Sequence, residues 1–169
     1  MGTPRGVSKG RRGTLASVEL QVREARLTDI DRITGLIERA DPRWTLNRLA
    51  DAADVLRQMI YLPNGSLIVA VDGRMVVGVA VLALRPSVAA GGLVGSIDLL
   101  CVEPGHELDG VIEALLGETI RASRNKGCVV LESEPPEDAA LVTRWEGAGF
   151  SASGPRLRYP LVRAATLIW

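Results

Sequence analysis

The sequence has few aromatic side chains: 1 Phe, 2 Tyr and 3 Trp among 169 residues. Its core must therefore be aliphatic. A hydrophobic content of 47% supplies one and excludes general disorder. Cysteine is equally scarce. Cys101 and Cys128 lie in apolar, strand-like runs, with no CxxC spacing and no histidine partner. That excludes a disulfide scaffold and a zinc site, and points to small buried hydrophobes in a reducing, cytoplasmic compartment. Neither sign of charge is in surplus, since the formal net charge is zero. This argues against a broad nucleic-acid footprint. No apolar run is long enough to span a membrane. The most apolar stretch, Leu67 to Leu84, is broken by Asp72-Gly73-Arg74 and reads as two strands. No secretory h-region, Walker sequence or GxSxG turn is present.

What is there suggests one domain with a tail. Residues 1–17 are rich in Gly, Arg, Ser and Thr and hold little that can be buried. They read as a disordered basic tail; a transit peptide or a nucleic-acid contact are lesser readings. Arg5, Lys9, Arg11 and Arg12 take 4 of the 20 basic residues, so the body holds 16 against 20 acids, a formal −4. The expected domain covers residues 18–163, with a short extension at 164–169.

Along the domain, hydrophobic periodicity predicts the elements in turn. Val18 to Arg26 alternates as a first strand, and Thr28-x-x-Asp31 reads as a cap. Ile33, Leu36, Ile37 and Ala40 have helical spacing, as do Leu46, Leu49, Ala53, Leu56 and Ile60. Ser66 to Val71 and Met75 to Leu84 form a hairpin across Asp72-Gly73. A loop is expected over Arg85 to Gly92. A central strand follows from Leu93 to Val102, then a helix from about Gly110 to Asn125. Cys128 to Leu131 is a strand, Ala139 to Glu146 a helix, and Phe150 to Val162 a last β segment.

The chain is organised around residues 97–116. An apolar strand ends at Glu103-Pro104, a turn runs through Gly105 and Gly110, and a helix opens with Ile112, Leu115, Leu116, Thr119 and Ile120 on one stripe. The first N–H groups of such a helix point unpaired at the turn, where an anion can sit. An ordinary strand-helix crossover has the same pattern.

These residues resemble the GNAT N-acetyltransferases. Ile97-x-x-Leu100-x-Val102-x-Pro104, Gly110 and Ala114-Leu115-Leu116 are similar to that family's fourth strand and third helix. Its turn, Arg/Gln-x-x-Gly-x-Gly/Ala, falls here on Glu107, Leu108, Asp109, Gly110, Val111 and Ile112, and Gly110 is the matching residue. Val22-Arg23-x-Ala25-x-x-x-Asp29 resembles the family's opening. Ala139 to Phe150 resembles its fourth helix, with Gly149-Phe150 matched and Arg144-Trp145 in place of Leu-Tyr. The order β-α-α-β-β-β-α-β-α-β agrees over roughly residues 19–162. The implied fold is α/β (α+β), a mixed, largely antiparallel sheet flanked by helices.

The resemblance implies transfer of an acetyl group from acetyl-CoA to a primary amine on a small molecule or peptide. The pantetheine arm pairs with the central strand at Leu100, Cys101 and Val102, chiefly through the backbone of Leu100 and Val102. The pyrophosphate sits on the turn from Glu107 to Ile112. Glu107 opposes that binding: at ~5 Å and an effective dielectric of ~20, two like charges cost about 3 kcal/mol, roughly a hundredfold in affinity. Asp109 and Glu103 add negative charge, and His106 is a solvated loop residue or a partial offset. On a regular strand Asp98 shares a face with Ser96 and Leu100. It is a candidate base acting through a water, a carboxylate for an ammonium substrate, or a strand-end group bonded to a loop. Trp145 stands where the family has the tyrosine that protonates the leaving thiolate. An indole N–H donates hydrogen bonds but is a poor proton source, so Trp145 also reads as packing at the cleft wall.

The expected function is an acyl-CoA-dependent N-acetyltransferase. A second reading is a non-catalytic module of the same fold that binds acyl-CoA weakly or forms a partner or dimer surface. Glu107, Ile112 and Trp145 favour it; the strand, Pro104 and Gly110 favour the enzyme. No metal is expected. Glu132, Glu134, Glu137 and Asp138 flank Pro135-Pro136 and read as a solvated loop.

Overall fold

A computed structural model describes residues 20–106 and 110–154. The elements are β1 (Gln21–Glu24), α1 (Ile30–Ala40), α2 (Leu46–Tyr61), β2 (Gly65–Asp72), β3 (Met75–Ser87), β4 (Gly92–Val102), α3 (Val111–Asn125), β5 (Cys128–Ser133) and α4 (Ala139–Gly147). The five described strands form one sheet in the order β1-β2-β3-β4-β5. Neighbours are antiparallel except β4 and β5, which are parallel. This mixed, mostly antiparallel sheet flanked by helices is the expected fold class. No helix among the described residues is long and apolar enough to cross a membrane.

The sheet is covered on both faces, which is why β2 and β3 read as continuous apolar runs. On one face Ile30, Ile33, Leu36 and Ile37 of α1, with Leu49, Ala53 and Leu56 of α2, pack on Leu67, Val69, Val79 and Val81. On the other, Val111, Ile112, Leu115 and Leu116 of α3 and Trp145 of α4 pack on Ile68, Ala70, Val77, Ala80, Ile97 and Val102. The β2–β3 turn has Gly73 at φ 58°, as the Asp-Gly signal requires.

Three expectations are corrected. The loop over Arg85 to Gly92 is mostly strand: β3 runs to Ser87 and pairs with Gly92, leaving a short tip. The cap before α1 is not Thr28–Asp31. A 3₁₀ turn, Leu27–Asp29, precedes the helix, and buried Asp29 accepts from the Arg26 backbone N–H at 2.8 Å. The Arg23 guanidinium grips the same carboxylate at 2.7 and 3.1 Å. That bond, outweighing burial, holds Asp29 below the usual carboxylate range. Lastly, Phe150 to Gly154 is not strand. The rest of that expected β segment, the tail at residues 1–17 and the extension at 164–169 lie outside the described residues.

Candidate active site

The site begins with an irregularity in β4. Opposite β3, Val81 pairs with Leu99 but Leu82 pairs with Ile97. Asp98 has no opposite number; it is the extra residue of a β-bulge. The bulge corrects the expected facing of side chains. Ile97, Leu100 and Val102 all join the cluster under α3, while Leu99 and Cys101 pack toward α1 and α2. Ser96, next to Ile97 on the regular part of the strand, therefore cannot share a face with Leu100. A polar residue interrupting an apolar run was the only local sign of the bulge.

At the same point β5 leaves β4. Their parallel pairing runs from Leu93↔Cys128 to Ile97↔Ser133 and ends there. From Asp98 to Val102, β4 keeps β3 on one side and has no described strand on the other. The Glu103 N–H donates to Val77 O at 2.8 Å, so Glu103 faces β3. Antiparallel alternation then turns the backbone of Cys101 toward β3 and that of Leu100 and Val102 toward the gap. Of the three expected cofactor-pairing residues, Leu100 and Val102 turn backbone groups to the side with no described strand, whereas Cys101 does not. The Cys101 thiol is pushed up to about 12, first by burial and then by Asp41, so it is no nucleophile at neutral pH.

Asp98 is exposed at the mouth of this gap. No ion pair or hydrogen bond ties its carboxylate to another described residue. Its carboxylate is thus open to water.

Beyond the strand, His106 N–H closes a turn on Glu103 O at 2.9 Å, and Gly105 has φ 92°. Glu107, Leu108 and Asp109 lie outside the described residues. Gly110, at φ 78° and ψ 6°, caps α3 with no side-chain hydrogen bond. The first intrahelical bond runs from Ala114 N–H to Gly110 O at 3.0 Å. The N–H groups of Val111, Ile112 and Glu113 therefore have no partner within the helix. Val111 and Ile112 bury their side chains in the core, each 2% exposed, so only their backbone can meet a ligand. The helix is drawn close to the sheet by Gly78, where a Cβ would lie 2.8 Å from Val111 Cγ1 and Leu115 Cδ1.

The negative charge of Glu103 is offset by a partner. Arg39 of α1 binds it in two-pronged fashion, Nε to Oε1 at 2.8 Å and Nη2 to Oε2 at 2.7 Å, which holds its carboxyl below the usual range. Nothing in the sequence linked these residues, which are 64 apart.

Trp145 of α4 is 8% exposed and belongs to the cluster containing Ile97 and Val102. Its indole Nε1–H donates to Ser133 Oγ at 3.0 Å, and the Ser133 hydroxyl donates to Glu134 O at 2.9 Å. Ser133 escaped the sequence reading because its partner lies on another element. Arg144 pairs with Glu113, joining α4 to the first turn of α3. Across the opposite side, Arg43 bonds both Asp41 and Glu137, at 2.9 and 3.0 Å, linking the α1–α2 turn to the loop before α4.

Among the described residues no His, Cys, Asp and Glu cluster is suited to a metal. A groove of about 560 Å³ between β1 and α3, lined by Arg23, Glu118, Arg121 and Lys126, is separate from the β4–β5 gap.

The family model described as "Acetyltransferase (GNAT) family" matches residues 33–150. Among solved structures, an acetyltransferase of Trypanosoma brucei is 26% identical, with TM-score 0.67, covering 85% of this chain and 100% of its own. An integron cassette protein from the mobile metagenome of Cole Harbour Salt Marsh is 25% identical, with TM-score 0.73, covering 84% and 90%. The aminoglycoside N-acetyltransferase AAC(6')-Iy, solved with a CoA-linked bisubstrate analogue, is 17% identical with TM-score 0.71, covering 84% and 97%; that likeness is one of fold. No curated protein matched in sequence.

Proposed function

The chain belongs to the acetyltransferase (GNAT) family, and from that premise we propose that it is an N-acetyltransferase moving an acetyl group from acetyl-CoA to a primary amine. The observation that carries the reading is the parting of β4 from β5 at the Asp98 bulge. It leaves the backbone of Leu100 and Val102 as a strand edge with no partner among the described strands. An amide-bearing pantetheine arm fits such an edge as a further strand would. The α3 N-terminus, capped by Gly110, lies at the end of the same strand and suits the pyrophosphate.

In this reading the amine nitrogen attacks the thioester carbon, and the C–S bond breaks. An N–H facing the gap, from Leu100 or Val102, stabilises the carbonyl oxygen as it gains charge. Asp98 takes the proton lost by the amine, through a water, and its carboxylate draws an ammonium acceptor to the mouth. Trp145 stands at the proton-donor position, but its N–H is given to Ser133. The leaving thiolate then takes its proton from solvent; a thiol of pKa near 8.5 leaves readily. The reading places the protein in the cytoplasm, where its two free cysteines stay reduced.

The test is release of free thiol from acetyl-CoA with a panel of aminoglycosides, polyamines, amino acids and peptides. Calorimetric titration with coenzyme A runs beside it. Asp98→Asn is expected to lower kcat about 10²-fold while coenzyme affinity stays within about twofold. Turnover that survives Asp98→Asn unchanged removes the base assignment and keeps the enzyme. A wild type that shows no turnover and binds no coenzyme removes the activity. The commitment of the Trp145 N–H favours a second reading, a non-catalytic module, which predicts coenzyme binding without turnover.

A further inference from the structure

Burying an indole requires an acceptor for its N–H, and that acceptor fixes how deep the ring sits. Here the acceptor is Ser133 Oγ, on the last β5 residue that pairs with β4. The ring packs in the cluster that holds Ile97, before the bulge, and Leu100 and Val102, after it. Trp145 is therefore bonded to β5 at the residue where its pairing with β4 ends, and shares a buried cluster with residues of β4 on both sides of the bulge. Ser133 is held in turn by its own bond to Glu134 O.

We propose that Trp145 and Ser133 form a positioning clasp that sets the width of the β4–β5 gap, and with it the fit of the coenzyme's pantetheine arm. This rests on the acetyltransferase reading. The two residues act through the strand spacing: neither moves a proton. The bulge starts the separation, and the ring holds it at one value. Without the Ser133 acceptor the ring shifts to find another partner, and the gap loses its fixed width.

The experiment uses full-length protein and acetyl-CoA with the best amine from the panel. Ser133→Ala is expected to raise KM for acetyl-CoA about five- to tenfold and to lower kcat by no more than about twofold, the effect of one partly buried hydrogen bond. Trp145→Phe, which keeps a ring and loses the N–H, has the same effect. The double variant is no worse than either single one, since both remove the same bond. Ser133→Thr, which keeps a hydroxyl, restores KM. In a Trp44→Phe, Trp169→Phe background, Trp145 emission responds saturably to coenzyme A, and Ser133→Ala alters that response. A merely structural pair lowers the melting temperature and leaves KM unchanged; that result, or emission indifferent to saturating coenzyme A, overturns the clasp alone. A wild type that binds no coenzyme in the calorimeter overturns both the clasp and the activity.

Discussion

Gly78→Ala tests whether the close approach of α3 to the sheet positions the coenzyme turn. A Cβ at this position lies 2.8 Å from Val111 Cγ1 and 2.8 Å from Leu115 Cδ1, with Ala70 Cβ at an ordinary 3.5 Å. Restoring normal contact requires the first turn of α3 to rise by at least about 0.6 Å. The Leu115 tip can rotate, but Val111 is branched at Cβ and is the first residue of α3, so part of the movement passes to the backbone. Overpacking of this kind costs about 1–3 kcal/mol, offset in part by about 0.4–1 kcal/mol from the stiffer unfolded chain. A net loss of about 1–2 kcal/mol lowers Tm by roughly 2–8 °C in a domain of this size. Because the displaced turn carries the free N–H groups, coenzyme A affinity is expected to fall roughly tenfold. Gly117→Ala is the control. It lies on the same helix, and its added Cβ meets nothing within 4 Å. Helix propensity predicts a gain of about 1 kcal/mol there and no change in affinity. The assays are thermal denaturation and calorimetric titration. A Gly78→Ala protein that melts with the wild type and binds coenzyme equally refutes the reasoning.

The buried Asp29 gives a pH test. Its folded value is depressed by Arg23, so its contribution is fully present above the unfolded value near ~3.9 and fades as pH falls toward the folded one. Asp29→Asn is expected to cost about 2 kcal/mol at neutral pH, with the gap to wild type narrowing below about pH 4; a gap that stays constant through that range contradicts the assignment. At the turn, Glu107→Arg is expected to tighten coenzyme A binding by roughly tenfold or more, by removing repulsion and adding a phosphate contact. Unchanged or weaker binding in the calorimeter means that this side chain is remote from the pyrophosphate.

The amphipathic helices were legible because their apolar spacing is a property of one segment. Ile33, Leu36 and Ile37 lie on one stripe wherever the helix is placed, and all three are buried in α1. The Asp72-Gly73 hairpin was legible for a similar reason: a tight turn needs a left-handed residue, and glycine supplies it. The strand, proline and glycine around residues 97–116 set the outline of the strand-turn-helix, with β4 ending at Val102 and α3 opening after Gly110. Tertiary structure alone decided the rest. The bulge at Asp98 is a mismatch of register between β3 and β4, and no segment carries its own register. The gap beside Leu100 and Val102 exists because β5 stops pairing after Ser133, which is again a relation between strands. Arg39 and Glu103, Trp145 and Ser133, and Arg23 and Asp29 are charge and hydrogen-bond pairs whose spacing along the chain follows no period. They form where the fold brings distant polar groups together: the Asp29 carboxylate and the Trp145 indole are buried and need a partner, while Arg39 meets Glu103 from a half-exposed position. Composition and periodicity thus determined which elements form and which faces are buried. Only the packed sheet decided where two strands separate, and the proposed site rests on that separation.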